Sequence, residues 1–582
     1  MNFLKLFLAS CLGTFIALVM LLFLCISMLS SLSTDTVQPV AEGSVLHLRL
    51  ETPIAELELE DPLAEVFPSA ADQTLGLLRL KEVIAYAKND PKIQGIYLNT
   101  SFLMTGMASL QELRDALTDF KESGKWVISY ANAYSEGAYY LATVADKVYM
   151  YPEGEVEFNG LATEVMFFKK MFDKLDIRPQ VFRVGDFKSA VEPFIRESLS
   201  EENKVQLNSL LKSIHGELLQ NMADARNIPV DRLKEISNKM LVQDSRSAVE
   251  LGLLDSLLYD DQVKDELRGL LNLGSEANIP LVKYSQYKKS IPGTASSGNE
   301  IAVIVADGDI MPGKADNGVV GSATIVELIR RARTNDRVKA IVLRVNSPGG
   351  AFQAADMMWR ELMLAAETKP VIASMSDYAA SGGYYLAMAC DTIVARPTTI
   401  TGSIGVFSVL FDLSHFLDSK IGITTEEVKT GEVGELITVT RSLTESEKNI
   451  WQKQTDKVYE TFTRKAADGR GMSQDDLKKI ASGRVWSGLQ AKDNGLADVI
   501  GGFDDAVAIA ADKAGIGEDY RLRYYPQPKP LLDRLMGNVE DELRTTMLKQ
   551  ELGEQYPWFQ QWERIRNYQG VQARMPLEFK VQ

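Results

Sequence analysis

Cysteine and histidine are nearly missing from this 582-residue chain, at three of each. Cys11 and Cys25 fall in the apolar N-terminal stretch, so Cys390 is the one thiol of the remaining sequence and cannot form a disulfide there. Too few thiolates remain for a zinc or iron–sulfur site, and His47, His215 and His415 are scattered without ligand spacing. No metal and no cofactor is expected. The same scarcity weighs against a Ser-His-Asp triad, because none of the three histidines stands in a catalytic motif. Positive charge is also short. With 63 Lys and Arg against 79 Asp and Glu the net charge is −16, which argues against a nucleic-acid partner.

Long apolar runs are absent too, with one exception. Leu6 to Leu29 is 24 residues without a charge, enough to cross a hydrocarbon core about 30 Å thick. It is longer than a secretory h-region, no Ala-x-Ala follows it, and Leu24 precedes Cys25 where a lipobox needs a small residue. The expectation is an uncleaved single-span anchor at 6–29 in contact with membrane lipid. Lys5 on the short side implies an N-in orientation, with the rest of the chain exported.

The remainder repeats itself. GAYYLATVADKV (137–148) matches GGYYLAMACDTI (382–393) at an offset of 245. The same offset aligns IQGIYL (93–98) with VKAIVL (338–343), Pro152 with Pro397, and Gly160 with Gly405. Further on, RESLSEEN (196–203) faces TRSLTESE (440–447). The reading is an anchor with a short linker (1–43), two homologous halves (44–285 and 300–520), a Ser/Gly/Pro-rich linker (286–299), and a tail (521–582) with an amphipathic helical pattern at 531–553. Short apolar strands such as IAVIVADG (301–308) alternate with helical spacing in SATIVELIRRARTND (322–336), where Ser322 or Thr324 could cap. Such alternation predicts an α/β fold whose sheets are covered on both faces.

Two junctions carry candidate chemistry. NSPGG (346–350) follows the strand VKAIVLRV, and its glycines leave backbone amides free to meet a developing negative charge. DYAASGGYYLA (377–387) sets Ser381 where a strand meets a helix, with the amide of Gly382 beside it. Either alone has a bland reading, a Pro–Gly turn or a helix cap. Together they place a hydroxyl beside a nest of donors, which suits acyl transfer.

The order strand–SPGG–helix–strand–ASGGYYLA–ITGSIGV, with VGDFKSAVEPF (184–194) in the other half, resembles the signal peptide peptidase A family in its long, duplicated form. The resemblance implies two tandem crotonase/Clp protease-like domains and a serine endopeptidase with a Ser/Lys dyad. It puts the nucleophile on Ser381, the lysine base on Lys188, and the oxyanion donors on Gly350 and Gly382. It also implies remnant signal peptides as substrates, a bacterial inner-membrane location with an extracytoplasmic catalytic part, and a homo-oligomeric ring, tetrameric for the duplicated form.

The repeat bears on this independently. At the same offset Ser381 faces Glu136 and SPGG faces FLMT (102–105), and when VFRVGDFKSA (181–190) is aligned with EVKTGEVGEL (427–436) through Gly185 and Gly431, Lys188 faces Gly434. One half keeps the lysine and lacks the serine; the other has the reverse. A lysine serves as a base only when neutral, which requires burial, and Phe187, Ala190 and Val191 could supply the lining. Ser403 is a further candidate for the same site. Tyr384, Tyr385 and Asp391 have twins in Tyr139, Tyr140 and Asp146, and are expected to be structural. Two other readings stay open: a crotonase-like acyl-CoA hydrolase or isomerase, and a scaffold without activity.

Overall fold

A computed structural model describes residues 40–58, 74–292, 297–315, 318–527 and 570–575, with scattered positions between 7 and 21 and at 553. The expected anchor at 6–29 and the expected helix at 531–553 lie largely outside the described residues. Among those described, no helix is long and apolar enough to cross a membrane.

The first half is built on a six-stranded parallel sheet. In spatial order its strands are Ser256–Leu257, Lys147–Val156, Trp126–Tyr134, Ile93–Leu98, Ser44–Leu48 and Leu281–Lys283. Its interior strands are near-continuous apolar runs, as a parallel sheet covered on both faces requires. The helices Leu77–Asn89, Met107–Lys121 and Glu201–Arg226 bury Leu80, Val83, Leu113, Leu117 and Leu218 against it.

The second half repeats this plan. Glu300–Asp307 lies between Val338–Ser347 and Arg521–Tyr525, as Ser44–Leu48 lies between Ile93–Leu98 and Leu281–Lys283. Arg521–Tyr525 is thus a sheet strand and the counterpart of Leu281–Lys283, so the sheet continues into a stretch that the sequence pattern assigns to a helical tail. The start of the expected linker is likewise structured: the helix Tyr284–Ser290 buries Tyr287 against the first half. Ser322 opens the helix Ser322–Thr334 but does not cap it; its hydroxyl accepts from the Gly313 amide, and that of Thr324 from Ala315.

Two devices join the halves. A buried charge cluster is the first. Arg344, on a central strand of the second half, pairs at 2.7 Å with both Glu56 and Glu112 of the first. Lys81 adds a 2.5 Å contact to Glu112. Nearby, the Asp377 carboxylate accepts from the amide and hydroxyl of Ser109 at 2.9 and 2.6 Å. Burying these charges is tolerable only because each is paired, Arg344 with two carboxylates of the other half.

The second device is a shared sheet. In order it contains Val319–Gly321, Asp309–Met311, Gly349–Ala351, Gln572–Arg574, Val406–Asp412 and Arg178–Val184. Arg178–Val184, from the first half, runs antiparallel to Val406–Asp412 of the second over seven residue pairs. The chain leaves that strand at Gly185 and reaches Lys188 three residues on.

Candidate active site

Ser381 stands where the strand Val371–Ala380 meets the short helix Gly382–Ala387. Its backbone holds φ 55° and ψ −110°, a region L-residues avoid at a cost of about 1–3 kcal/mol. The surroundings enforce it: the Ser381 amide donates to the Gly402 carbonyl at 2.8 Å. The hydroxyl is not used to cap the helix. It turns instead toward the first half.

There it meets Lys188, whose Nζ lies 2.9 Å from Ser381 Oγ. The same nitrogen lies 3.0 Å from both the carbonyl oxygen and the hydroxyl of Ser403. Lys188, Ser381 and Ser403 are all fully buried. Among the described residues no carboxylate contacts the lysine, and burial holds its pKa well below the ordinary lysine range. A lysine in that state can accept a proton from a hydroxyl, and Ser403 fixes its head group in position.

Close backbone approach makes the lysine's path. A Cβ on Gly483, at φ +80°, would stand 2.7 Å from the Lys188 backbone nitrogen and Cβ. Only glycine leaves room for the chain there. The Lys188 stem continues past Gly405, where a Cβ would come within 3.2 Å of its Cδ. Phe187, one of the expected lining residues, faces the Arg484 guanidinium at 5.2 Å, while Val191 is fully buried in a neighbouring cluster.

Gly349 and Gly350, at φ +103° and +157°, form a short strand beside this pair. A Cβ on Gly349 would lie 2.7 Å from the Gly382 amide nitrogen, and one on Gly382 would lie 3.2 Å from the Gly350 nitrogen. The SPGG turn and the start of the serine's helix therefore abut. The structure thus brings Ser381, Lys188, Gly350, Gly382 and Ser403 into one place. It sets Tyr384 and Asp391 elsewhere. The Tyr384 hydroxyl donates to the Leu496 carbonyl at 3.1 Å, as Tyr139 does to Leu253 at 2.8 Å. Asp391 and Asp146 each accept a backbone amide at 2.8 Å.

Sequence reasoning passed over Gly483 and the segment 570–575. Gly483, in SGRVWSG, has no motif context that ties it to a lysine 295 positions away. The segment carries no signal that would draw it to the SPGG turn.

A buried serine apposed to a buried lysine, beside clustered backbone amides, defines a site of the serine-hydrolase class. Comparison with known proteins gives the family. The model of peptidase family S49 matches twice, over residues 119–274 and 364–517, one match in each half. The chain is 38% identical over 487 residues to the chloroplastic serine protease SPPA of Arabidopsis thaliana, covering 82% of this chain and 70% of that one. It is 35% identical over 495 residues to Protease 4 of Salmonella typhi, covering 83% and 79%. A solved ClpP1 mutant from Listeria monocytogenes overlaps 35% of this chain and 94% of its own, at 15% identity and a TM-score of 0.24. This chain belongs to peptidase family S49 and is a serine protease with a duplicated α/β architecture.

Proposed function

We propose that the chain is a membrane-anchored endopeptidase in which Ser381 attacks the scissile carbonyl and Lys188 takes the proton. Lys188 then returns that proton to the leaving amine, and water resolves the acyl-enzyme by the same route. The amides of Gly350 and Gly382 receive the oxyanion. The observation that carries this reading is the 2.9 Å approach of Lys188 Nζ to Ser381 Oγ inside a fully buried pocket. The decisive test compares Ser381→Ala and Lys188→Ala with the parent on a fluorogenic peptide, after checking folding and assembly. Both substitutions should cost at least about 10²–10⁴-fold in kcat/KM. Near-normal turnover by Lys188→Ala at neutral pH would remove the lysine from the mechanism.

The substrates would be signal peptides left in the membrane, since the apolar run 6–29 would tether the site beside them. Protease 4 of Salmonella typhi is a bacterial relative, and the reading for this chain is a bacterial inner-membrane enzyme with its catalytic part outside the cytoplasm.

The repeat also supports a ring of copies. Within one chain, Arg178–Val184 of the first half pairs with Val406–Asp412 of the second. By the repeat, residues 161–167 of the first half are the counterpart of the latter, and residues near 424–430 of the second half correspond to the former. Neither counterpart is in a strand. Yet burial alternates along 161–167 as in a strand, and Val428, Ile423 and Ile437 are exposed at 97%, 49% and 71%. Pairing 424–430 of one copy with 161–167 of the next would repeat the intrachain joint and close head to tail.

A further inference from the structure

The oxyanion donors assigned above are not open in this structure. The strand Gln572–Arg574 runs antiparallel to Gly349–Ala351, with Ala573 opposite Gly350. Met575 N–H donates to the Pro348 carbonyl at 2.7 Å, and Phe352 N–H to that of Val571 at 3.3 Å. Bonded pairs recur every second residue in such a ladder, so Gly350 and Ala573 form the bonded pair between these two. The Ala573 carbonyl oxygen consequently faces the Gly350 amide. It also lies 2.1 Å from where a Cβ on Gly349 would be and 3.1 Å from one on Gly382. This carbonyl occupies the place where a substrate's reacting carbonyl would sit.

The other edge of the segment meets Val406–Asp412. Gln572 pairs antiparallel with Phe407, and the Ser408 hydroxyl donates to the Gly570 carbonyl at 3.0 Å. Gln572, Ala573, Arg574 and Met575 are all buried, and Arg574 contacts Asp309 at 2.9 Å. Remove the segment and two strands face each other across a slot one strand wide. Such a slot takes an extended peptide by adding it to both edges.

We propose that residues 571–575 are an internal substrate mimic that occupies the peptide groove and holds the protease shut, with Ala573 at the position of the residue before the scissile bond. The proposal rests on the Ser381 reading for its meaning, but occupancy of the groove can be tested apart from it. A permanently fixed strand would block both oxyanion donors, so turnover requires the segment to leave. Its register also marks the groove as one for a small residue before the cut, followed by one that can meet Asp309.

The test uses the full chain with Ala573→Pro or, as a second route, Met575→Pro; each removes an amide from the ladder. Ser381 modification by a fluorophosphonate probe is followed by mass spectrometry. Both variants should be modified about tenfold or more faster than the parent, since a site open only part of the time reacts in proportion to that fraction. In a Ser381→Ala background, fluorescence polarisation reads binding of a labelled peptide of residues 569–576. That peptide should bind the Ala573→Pro chain at least about tenfold more tightly than the chain with the native segment. Equal modification rates in parent and variants, with equal peptide binding, would overturn the occupancy and leave the serine reading intact. Preferential peptide binding without modification of Ser381 would keep the occupancy and overturn the serine reading.

Discussion

The two halves share a sheet plan, a helix after each central strand and a tyrosine at each helix start, yet they treat one junction in opposite ways. In the second half Ser381 sits at φ 55° and leaves its hydroxyl uncommitted to the helix. In the first half Ser135, the residue before the Ser381 counterpart, holds an ordinary extended φ of −67° and caps its helix by accepting from Ala138. Glu136, which stands where Ser381 stands, is buried and accepts from the amides of Asn159 and Gly160 at 3.2 and 2.8 Å. Gly160 is the counterpart of Gly405, which lines the lysine's path in the other half. The relaxed junction ties its carboxylate to backbone amides of its own half; the strained one leaves a hydroxyl for a lysine delivered from the other half. Duplication lets one fold carry both states, with strain kept where a reaction needs it.

The sharpest way to test that contrast is Lys188→Met. The methionine keeps the length of the stem and removes the buried amine, so peptidase activity should fall by at least about 10²–10⁴-fold. Stability should move the other way. The folded pKa of Lys188 lies well below 10.5 because burial disfavours the charged form, while the unfolded chain titrates near 10.5. Between those two values the unfolded state binds more protons, so stability of the parent rises with pH through that window. Below the window the penalty is fully present. The Tm of Lys188→Met should therefore exceed that of the parent most at low pH within the folding range. The gap should close as pH approaches the ordinary lysine value. The parent's activity should rise with pH through the folded pKa, at the lower edge of that window, as the lysine loses its proton. A Tm gap that does not vary with pH would mean the lysine is charged in the fold.

Much of this was legible in the sequence, and the reason lies in the repeat. The parallel strands announce themselves as apolar runs, an ungapped offset shows the loss of Ser381 at Glu136, and the alignment of Gly185 with Gly431 shows that of Lys188 at Gly434, all without coordinates. The resemblance supplied the pairing of Ser381 with Lys188, which no local pattern could, because the two are 193 residues apart. What stayed hidden was long-range and backbone-borne. Gly483 matters through a 2.7 Å approach to Lys188. Arg521–Tyr525 is a strand because Glu300–Asp307 offers an edge, and RLRYY is too short for its alternation to mark it alone. Nothing in VQARM foretells that it lies against SPGG.

A smaller effect is expected from Glu136→Ala. It leaves the amides of Asn159 and Gly160 without their acceptor in a buried place, at roughly 1–3 kcal/mol each. Denaturant unfolding should register that loss, while peptidase activity of the folded enzyme stays unchanged because the first half's junction does no chemistry. A fall in kcat/KM well beyond the folded fraction would mean that this junction still serves the reaction.

The smallest effect tests the premise that the halves are otherwise alike. Tyr139 and Tyr384 are both fully buried and both donate to a backbone carbonyl, of Leu253 at 2.8 Å and Leu496 at 3.1 Å. Burial pushes both phenols well above the ordinary tyrosine range, so neither ionises at working pH. Tyr139→Phe and Tyr384→Phe should each cost about 1 kcal/mol, the worth of one buried neutral hydrogen bond. The two losses should match within about half a kcal/mol and add in the double variant, since the sites are in separate cores. Tyr384 lies in the first turn of the helix that follows Ser381, and its twin in the first turn of the helix that Glu136 opens. If Tyr384→Phe also slowed turnover while Tyr139→Phe did not, the tyrosine would be helping to hold the strained serine. The asymmetry between the halves would then extend one helical turn beyond the junction.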